Sequence, residues 1–268
     1  MQPGFPRTVI VYGVGLIGGS LALAIRRHFP DIRVFGVDNP DTLHRARSLG
    51  MIEPDDAVIS DLVILATPVT QILQLLDTFP PNGRLILDVG STKLDICRKA
   101  EKRSLAFIGG HPMTGTERSG PDAASADLFS GAPFFLCSVK STPDGAVETI
   151  SSFLSTIGAN PSVVSPDEHD RIVARISHLP QLLSTVLADR AAGYLQYAGP
   201  GVKSMTRLAG SSFHVWRDIF ETSGPLPQEL HAFIGQLRAV LDALEAGDLA
   251  AIEAIFERAN RSSLGGPH

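Results

Sequence analysis

Residues 8–25 read Thr8-Val-Ile-Val-Tyr-Gly13-Val-Gly15-Leu-Ile-Gly18-Gly-Ser-Leu-Ala-Leu-Ala-Ile25, and this segment sets the class of fold. A short β-branched run leads without a gap into glycines spaced G-x-G-x-x-G, and a helical apolar pattern follows. A strand, a glycine turn and a helix in this order form the fingerprint that binds the pyrophosphate of a dinucleotide. Gly13 permits the tight turn, Gly15 lets the backbone approach the phosphates, and Gly18 lets helix and strand pack closely. The segment therefore predicts a Rossmann-type unit.

The type of dinucleotide is predicted from the residue that ends the second apolar run. Arg33-Val-Phe-Gly-Val37 is followed by Asp38, which lies 20 residues beyond Gly18. A carboxylate at this distance accepts hydrogen bonds from the adenosine ribose hydroxyls and repels a 2′-phosphate. We therefore predict NAD rather than NADP as the cofactor. The predicted cofactor-binding residues are Gly13, Gly15, Leu16, Ile17, Gly18 and Asp38, with Thr67 and Pro68 at the end of the third apolar run.

Further apolar runs predict the rest of a mostly parallel sheet. They are continuous rather than alternating, as expected of strands that are covered on both faces. These runs are residues 61–68, 84–88, 105–108, 133–139 and 162–165. Residues 69–79 and 92–102 carry helical patterns between the runs and are predicted to be crossover helices. Residues 1–165 are therefore predicted to form an α/β NAD-binding domain of the Rossmann type.

From residue 166 onward the strand pattern stops and helical periodicity remains. Residues 168–197 carry an apolar stripe that Pro180 interrupts, which predicts a kinked helix. Further helices are predicted after the capping residues Ser211 and Ser212, from Pro227 to Gly247, and after Asp248. Four helices of this size make a poor autonomous globule. We therefore predict that residues 166–268 form an all-helical dimerisation and substrate-binding domain, with a monomeric helical lid as the alternative.

The overall composition excludes several other classes of protein. The 268 residues are 44% hydrophobic, and the two cysteines have no metal-binding spacing, so we expect reduced thiols, a cytoplasmic location and no metal. The sequence contains neither a long apolar run nor a signal-peptide pattern, so we expect no membrane association. The formal net charge of −5 argues against nucleic acid as a partner. Any site for an anionic small molecule must then use locally placed cationic side chains.

A second segment contains the residues best suited to catalysis. It reads Gly109-Gly-His111-Pro-Met-Thr-Gly-Thr-Glu117-Arg-Ser-Gly120 and follows the apolar run that ends at Ile108. Open α/β sheets bind their ligands at the carboxyl ends of the strands. We therefore predict that His111 lies in a turn at this edge and contacts a substrate. A rigid loop whose histidine only satisfies backbone groups is the alternative.

Five motifs occur in a fixed order along nearly the whole chain. They are Gly13-x-Gly-Leu-Ile-Gly-Gly-Ser20, Asp88-Val-Gly-Ser91-x-Lys93, His111-Pro-Met-x-Gly-x-Glu117-x-Ser-Gly120, Leu128-Phe-x-Gly131 and Ser177-His-Leu-Pro180. Together they resemble the prephenate/arogenate dehydrogenases of tyrosine biosynthesis, over about residues 8–260. The resemblance implies NAD-dependent oxidative decarboxylation of prephenate, arogenate or both. Because the chain stops soon after its last predicted helix, we expect neither the regulatory domain nor the fused chorismate mutase of some members.

The resemblance also implies a role for each candidate side chain. Prephenate loses a hydride from the ring carbon that bears its hydroxyl while the ring carboxylate departs as CO₂. His111 would accept a hydrogen bond from that hydroxyl as a neutral imidazole, and Ser91 would be its second partner. Arg207 would bind a carboxylate through its planar guanidinium, and Lys203 would add charge one turn away if that stretch is helical. The other implied substrate-binding residues are Thr116, Glu117, His178 and Gln181.

Two positions depart from the family pattern. Gln181 stands where several members have a second histidine, near the side chain of the substrate, which carries a keto group in prephenate and an amine in arogenate. Because an amide both donates and accepts hydrogen bonds, the residue type alone does not choose between them. Thr114 stands where alanine is usual and adds a hydroxyl beside His111.

Several alternative functions stay open at this point. A β-hydroxyacid dehydrogenase would need a catalytic lysine in the first inter-domain helix, and residues 166–200 contain no lysine. An arogenate-specific enzyme, a dehydrogenase acting on 4-amino-4-deoxyprephenate and a non-catalytic NAD-binding sensor share the same motifs. The sensor would be favoured if His111 or Arg207 were missing, and both are present.

Overall fold

The structure is a computed structural model and describes residues 5–54, 59–81, 83–116 and 118–262. The chain forms two compact units, residues 1–224 and residues 225–268. The helices between residues 166 and 222 therefore belong to the same compact unit as the sheet. Among the helices in the described ranges, none combines the length and the apolarity that crossing a bilayer requires.

The first unit contains a seven-stranded sheet. Its strands are β1 (Thr8–Tyr12), β2 (Arg33–Val37), β3 (Leu62–Leu65), β4 (Leu85–Asp88), β5 (Phe107–Pro112), β6 (Pro133–Ser138) and β7 (Asn160–Val163). Their order across the sheet is β2-β1-β3-β4-β5-β6-β7. Strands β1 to β5 run parallel, β6 is antiparallel to β5, and β7 is parallel to β6. The predicted mostly parallel sheet of the Rossmann type is confirmed.

Helices cover the strands on both faces. Five of them come from the first part of the chain: α1 (Leu16–His28), α2 (Pro40–Ser48), α3 (Val69–Leu75), α4 (Leu94–Lys102) and α5 (Ala146–Thr156). Leu62 and Ile64 of β3 pack in one apolar cluster, which includes α1 and α5 residues, whereas Val63 and Leu65 pack in the other with residues of α3 and α4. Because successive side chains of a strand point to opposite faces, burial on both faces explains why the strand is apolar throughout.

Strand β5 extends further than its sequence pattern indicates. The apolar run ends at Ile108, but the strand continues to Pro112 and includes His111. Only Phe107 and Ile108 pair with β4, whereas the antiparallel pairing with β6 continues, and His111 lies opposite Phe135. The prediction that His111 lies in a turn is therefore wrong. Its antiparallel neighbour holds it in an extended conformation at the end of the strand.

Near Pro180, where the sequence predicts a kink, the helix contains a π-helical turn. Helix α6 (Pro166–Val173) passes into a π-helical segment, Ala174–His178, and then into α7 (Leu179–Ala191). Proline has no N–H to donate to the carbonyl four residues earlier, and its ring crowds that carbonyl, so the helix widens just before it. Two more helices complete the unit, α8 (Pro200–Met205) and α9 (Phe213–Thr222), the second capped by Ser212 as predicted.

The second unit is a pair of helices, α10 (Leu226–Ala246) and α11 (Leu249–Ser262). Gly247 ends the first in the left-handed conformation, with a φ of 69°, and Asp248 caps the second through a 3.0 Å hydrogen bond from the N–H of Ala251. Both ends agree with the sequence pattern.

Helix α10 has an apolar face that the described residues of this unit leave exposed. Leu237, Leu241 and Leu244 are each more than half exposed, and their i, i+4, i+7 spacing places them on one side of the helix. A leucine stripe of this kind is typical of a surface that associates with another protein.

Candidate active site

The carboxyl ends of the parallel strands bring the predicted site residues to one edge of the sheet. The glycine loop follows β1, Asp38 follows β2, and Thr67 follows β3. Ser91 follows β4, and His111 lies near the end of β5, which pairs with β4. The cofactor-binding and catalytic candidates therefore occupy neighbouring parts of the edge where such sheets bind ligands.

The three fingerprint glycines differ in what surrounds them. Gly13 has a φ of 86°, and a Cβ atom there would lie 2.6 Å from the carbonyl oxygen of Ala66. A Cβ atom on Gly18 would lie 1.9 Å from the carbonyl oxygen of Gly13. A Cβ atom on Gly15 would meet nothing within 4 Å. The fold itself thus requires glycine at two positions, whereas the open space at Gly15 suits an approaching pyrophosphate.

The adenosine side of the predicted cofactor site is a groove of about 470 Å³ that includes Asp38 and Thr67. Asp38 accepts hydrogen bonds from the backbone N–H groups of Val14 (2.9 Å) and Asn39 (2.7 Å), which fixes its carboxylate beside the glycine loop. The hydroxyl of Thr67 is buried and has no partner among the described residues. An unsatisfied hydroxyl, an oriented carboxylate and the open glycine loop fit a dinucleotide.

His111 belongs to a chain of hydrogen bonds that we did not predict. Its Nδ1 lies 2.9 Å from Nε2 of His169, and Nδ1 of His169 lies 2.7 Å from Oδ1 of Asp170. The Asp170 carboxylate also accepts the backbone N–H groups of Lys93 (2.7 Å) and Leu94 (3.0 Å) at the start of α4. His169 and Asp170 are fully buried, whereas His111 is half-buried. His111 is the end of this chain that can contact a ligand.

A buried ion pair lies next to the hydrogen bonds that join His111, His169 and Asp170. The Nζ atom of Lys93 contacts Oδ2 of Asp88, and neither side chain is exposed. Asp88 also accepts the backbone N–H groups of Gly90 (2.8 Å) and Gly110 (3.2 Å). The pair therefore connects the end of β4 and the start of α4 to the residue before His111. Because both charges are partnered, the pair fixes geometry without leaving an unsatisfied buried group.

The environment of His111 keeps its imidazole neutral. Burial lowers the pKa of His111 well below the ordinary value of 6.5, and the positive charges of Lys93 and of protonated His169 or His178 would lower it further. Burial also lowers the pKa of His169, although its hydrogen bond to Asp170 opposes that effect. A neutral imidazole has one nitrogen that accepts a hydrogen bond, which is what the proposed chemistry of His111 requires.

His178 ends the π-helical turn and is buried. Its Nδ1 lies 2.8 Å from the hydroxyl of Ser223, and the ring packs edge-on against Trp216, with ring centres 6.0 Å apart. Burial lowers the pKa of His178 to about 4. This histidine is therefore neutral at neutral pH and cannot supply the positive charge that an anionic substrate needs.

Gln181 is buried on the turn of α7 that follows His178. Its side-chain NH₂ donates to the carbonyl of Leu208 (2.9 Å) and to the hydroxyl of Thr185 (3.3 Å). Its Oε1 is buried and has no partner among the described residues. Reversing the amide would bring two oxygen acceptors together at Leu208, so the orientation is fixed and an acceptor remains unused.

The remaining predicted substrate residues are more exposed. Arg207 opens a short 3₁₀ turn, Arg207–Gly210, whereas Lys203 lies in α8, which ends at Met205, so the two cations do not share one helix. Thr116 is exposed, and its hydroxyl accepts the backbone N–H of Arg118 at 3.2 Å. Ser91 is half-buried between β4 and α4. Glu117 lies outside the described residues.

Two sets of contacts hold neighbouring segments at this edge. Helix α9, which carries Trp216, is joined to the loop after β4 by the hydroxyls of Thr92 and Thr222, 2.8 Å apart. It is joined to the start of α3 by Thr70, whose hydroxyl donates to Asp218 at 2.6 Å.

The segment after His111 is held by three hydrogen bonds. The hydroxyl of Thr114 donates to the carbonyl of Leu128 at 3.1 Å. Arg45 donates to Asp122, and the N–H of Ser125 donates to Ser20.

Sequence reasoning missed His169 and Asp170, although a signal was present. His169 stands four residues before Val173, so the helical period places it on the buried face of α6. A histidine and an aspartate in the first turns of a helix, on its apolar side, need polar partners, and this requirement marks them as candidates.

Comparisons with known proteins identify the family of this chain. A model of the prephenate dehydrogenase nucleotide-binding domain matches residues 21–163, and a model of the prephenate dehydrogenase dimerization domain matches residues 165–258. The chain is 36% identical over 233 residues to a prephenate dehydrogenase of Bacillus subtilis, covering 79% of this chain and 63% of that protein. It is 30% identical over 261 residues to a cyclohexadienyl dehydrogenase of Zymomonas mobilis, covering 90% and 89%.

Two solved structures show the same architecture. The prephenate dehydrogenase from A. aeolicus in complex with hydroxyphenyl propionate and NAD+ superposes with a TM-score of 0.87, at 26% identity, covering 96% of this chain and 97% of that one. The arogenate dehydrogenase of Synechocystis superposes with a TM-score of 0.80, at 25% identity, covering 94% and 97%. The predicted resemblance is confirmed: the chain belongs to the prephenate dehydrogenase family.

Proposed function

We propose that this protein is an NAD-dependent dehydrogenase that oxidatively decarboxylates prephenate, arogenate or both, in tyrosine biosynthesis. The observation that carries the proposal is the neutral His111 at the end of β5, at the same edge of the sheet as a glycine loop suited to a dinucleotide. Relatives named prephenate and cyclohexadienyl dehydrogenase, and a similar structure that contains hydroxyphenyl propionate and NAD+, support it. The chain spans 63% of the length of the Bacillus subtilis relative, so the activity is inferred from the site as well as from the family.

The residues of the chain account for proton and charge in this reaction. When bound, NAD supplies the acceptor for the hydride that leaves the ring carbon bearing the hydroxyl. That hydroxyl becomes more acidic as the hydride departs, and its hydrogen bond to neutral His111 strengthens in the transition state. The bond between the ring and its carboxylate breaks and CO₂ leaves. The electron pair of that bond stays on the ring and completes its aromatic system. Ser91 is proposed as a second partner of the hydroxyl.

The substrate carboxylates need positive charge that the buried histidines do not supply. His178 is neutral, because burial lowers its pKa to about 4. We propose that Arg207 binds a carboxylate and that Lys203 adds charge from the adjacent helix α8. Thr116, Glu117, His178 and Gln181 are proposed as further substrate contacts.

The orientation of Gln181 favours arogenate over prephenate as the better substrate. Its NH₂ group is already bonded to Leu208 and Thr185, so the buried Oε1 is the side-chain atom left to accept a hydrogen bond, and we propose that it is uncovered when the substrate binds. Oε1 can accept a hydrogen bond from the amine of arogenate but cannot bond to the keto oxygen of prephenate. One additional hydrogen bond predicts a kcat/KM for arogenate about tenfold higher.

We further propose the functional division expected from the sequence, with residues 1–165 binding NAD and residues 166–268 providing dimerisation and substrate contacts. The match to a dimerization-domain model and the exposed leucines of α10 support a homodimer. The two unpaired cysteines, Cys97 and Cys137, are both buried, which suits a reducing compartment, and we propose a cytoplasmic location.

The test is NADH formation by the purified protein with NAD and each substrate, in wild type and in His111→Asn. Turnover of prephenate or arogenate, with a large loss of kcat in the variant, is the expected result. Absence of turnover on both despite NAD binding would contradict the proposal and favour 4-amino-4-deoxyprephenate as substrate or a sensing role. Gln181→Met, which has no amide, should remove the preference for arogenate; an unchanged ratio would refute the argument from Oε1.

A further inference from the structure

We propose that His169 and Asp170 are positioning residues that fix the tautomer of His111, with the proton on Nδ1 and the lone pair on Nε2. This inference deepens the proposed function, on which its catalytic meaning rests, because the lone pair on Nε2 is what would accept the substrate hydroxyl.

The first link is the carboxylate of Asp170. Its Oδ1 accepts the N–H of Lys93 at 2.7 Å and its Oδ2 accepts the N–H of Leu94 at 3.0 Å. These donors stabilise the charged form, and together with the hydrogen bond from His169 they outweigh burial and lower the pKa of Asp170. An ionised carboxylate is an acceptor only. The 2.7 Å contact with His169 therefore requires the His169 ring to donate from Nδ1.

The second link is the His169 ring. Because a neutral imidazole carries one proton, a ring that donates from Nδ1 has its lone pair on Nε2. Nε2 lies 2.9 Å from Nδ1 of His111, so His111 must donate there, and its own lone pair is on Nε2. The direction of every bond in the chain is thus determined by Asp170.

Packing holds the His169 ring in the required plane. Phe135, which is paired with His111 across the β5–β6 ladder, meets the His169 ring edge-on with ring centres 5.3 Å apart. His169 has no exposed surface, so water does not compete for its nitrogens. The opposite tautomer of His111 would place two lone pairs against each other at 2.9 Å, or would leave the carboxylate of Asp170 without its histidine donor.

The decisive variant is Asp170→Asn, which keeps the size of the side chain but replaces an acceptor with an NH₂ donor. Because Oδ1 and Oδ2 of Asp170 both accept backbone N–H groups, either orientation of the introduced amide leaves one of these groups unpaired. With the NH₂ group towards His169 every bond in the hydrogen-bond chain reverses, whereas in the other orientation the bonds keep their direction. Part of the protein would then carry the His111 proton on Nε2 and could not accept the substrate hydroxyl. We expect kcat to fall about twofold or more, with KM for the substrate nearly unchanged.

A spectroscopic measurement reads the tautomer without any turnover. In protein with ¹⁵N-labelled histidine, the nitrogen shifts distinguish a protonated ring nitrogen from one with a lone pair, and loss of signals in His111→Asn assigns the residue. The expected result is a protonated Nδ1 and an unprotonated Nε2 in the wild type, and a mixture of both tautomers in Asp170→Asn. Because the wild-type spectrum is informative alone, the test survives even if the variant does not fold.

Asp167→Asn is the matched control. Asp167 is an exposed carboxylate three residues earlier on α6, so the same chemical change should leave both kcat and the tautomer at wild-type values. A proton on Nε2 of His111 in the wild type, or the wild-type tautomer alone in Asp170→Asn, would overturn the proposal. If the tautomer is as expected but neither prephenate nor arogenate is turned over, the proposed function fails while the positioning role stands.

Discussion

At the scale of single residues, the environment of His111 makes a prediction about pH. The neutral imidazole is the active form, and it is lost as pH falls through the pKa of the group. Because burial holds that pKa well below 6.5, the acid limb of kcat/KM should lie below pH 6.5, and activity should be nearly flat from neutral pH down to that value. Initial rates across this range check the prediction, and a limb centred at or above 6.5 would contradict it.

His178 makes a prediction about stability. Its pKa is lowered to about 4 in the folded chain, whereas an unfolded histidine titrates near 6.5. Between these values the unfolded state binds one more proton, so the free energy of unfolding should decrease as pH falls from 6.5 towards 4 and should be unaffected by this group above 6.5. A tenfold change in proton affinity is about 1.4 kcal/mol, so the full effect is about 3 kcal/mol.

Urea denaturation at several pH values measures this effect. His178→Gln removes the titrating group while keeping a polar partner for Ser223. The variant should lose part of the acid sensitivity, while His111 and His169, whose pKa values are also lowered, retain theirs. An identical pH dependence in both proteins would show that His178 does not contribute.

At the scale of elements, two glycines of the turn after β1 serve different purposes. Gly18 is required by the packing of the fold, whereas Gly15 leaves space for the cofactor. Gly18→Ala would place a methyl group 1.9 Å from a backbone oxygen, so we expect it to lower the free energy of unfolding by about 1–3 kcal/mol. Gly15→Ala meets nothing within 4 Å, so its effect on stability should be within about 0.5 kcal/mol.

For the affinity towards NAD, we expect the larger effect from Gly15→Ala. Gly15→Ala fills the space reserved for the pyrophosphate, so we expect the Kd for NAD to rise about tenfold or more, a change of at least about 1.4 kcal/mol. Calorimetric titration with NAD and thermal unfolding of both variants test this separation. Equal NAD affinity in Gly15→Ala and wild type would show that the open space is not the phosphate site.

The elements that could be predicted from sequence are those whose pattern is local. The strands up to β4 follow continuous apolar runs, and the caps Ser212 and Asp248 act on their own helices. The position of His111 within β5 could not be found this way, because it depends on an antiparallel neighbour more than twenty residues later in the chain. The chain from His111 to Asp170 joins two elements that are distant in sequence. The orientation of Gln181 likewise depends on the carbonyl of Leu208.

At the scale of the whole molecule, the leucine stripe of α10 predicts how copies associate. Leu241 is 52% exposed, and a charge at this position would be buried without a partner in a dimer. We expect Leu241→Glu to shift the protein from dimer to monomer, measured as mass by light scattering after size-exclusion chromatography. Ala239→Glu introduces the same charge on the opposite side of the helix and should leave the mass unchanged. A dimeric Leu241→Glu protein would exclude this face from the interface.

The π-helical turn Ala174–His178 also determines how the residues before and after it are oriented around the helix axis. A turn that bonds residue i to i+5 holds one residue more than a normal turn, so the turn acts as a built-in insertion between α6 and α7. Each residue of an α-helix adds about 100° of rotation, so deleting one residue here would swing Gln181 about a quarter of the way around the axis while leaving His169 in place. The number of residues in the turn therefore sets the orientation of Gln181 on α7 relative to His169 on α6. We therefore expect the deletion of one residue from this turn to disturb the site more than the substitution of its exposed residue Ile176.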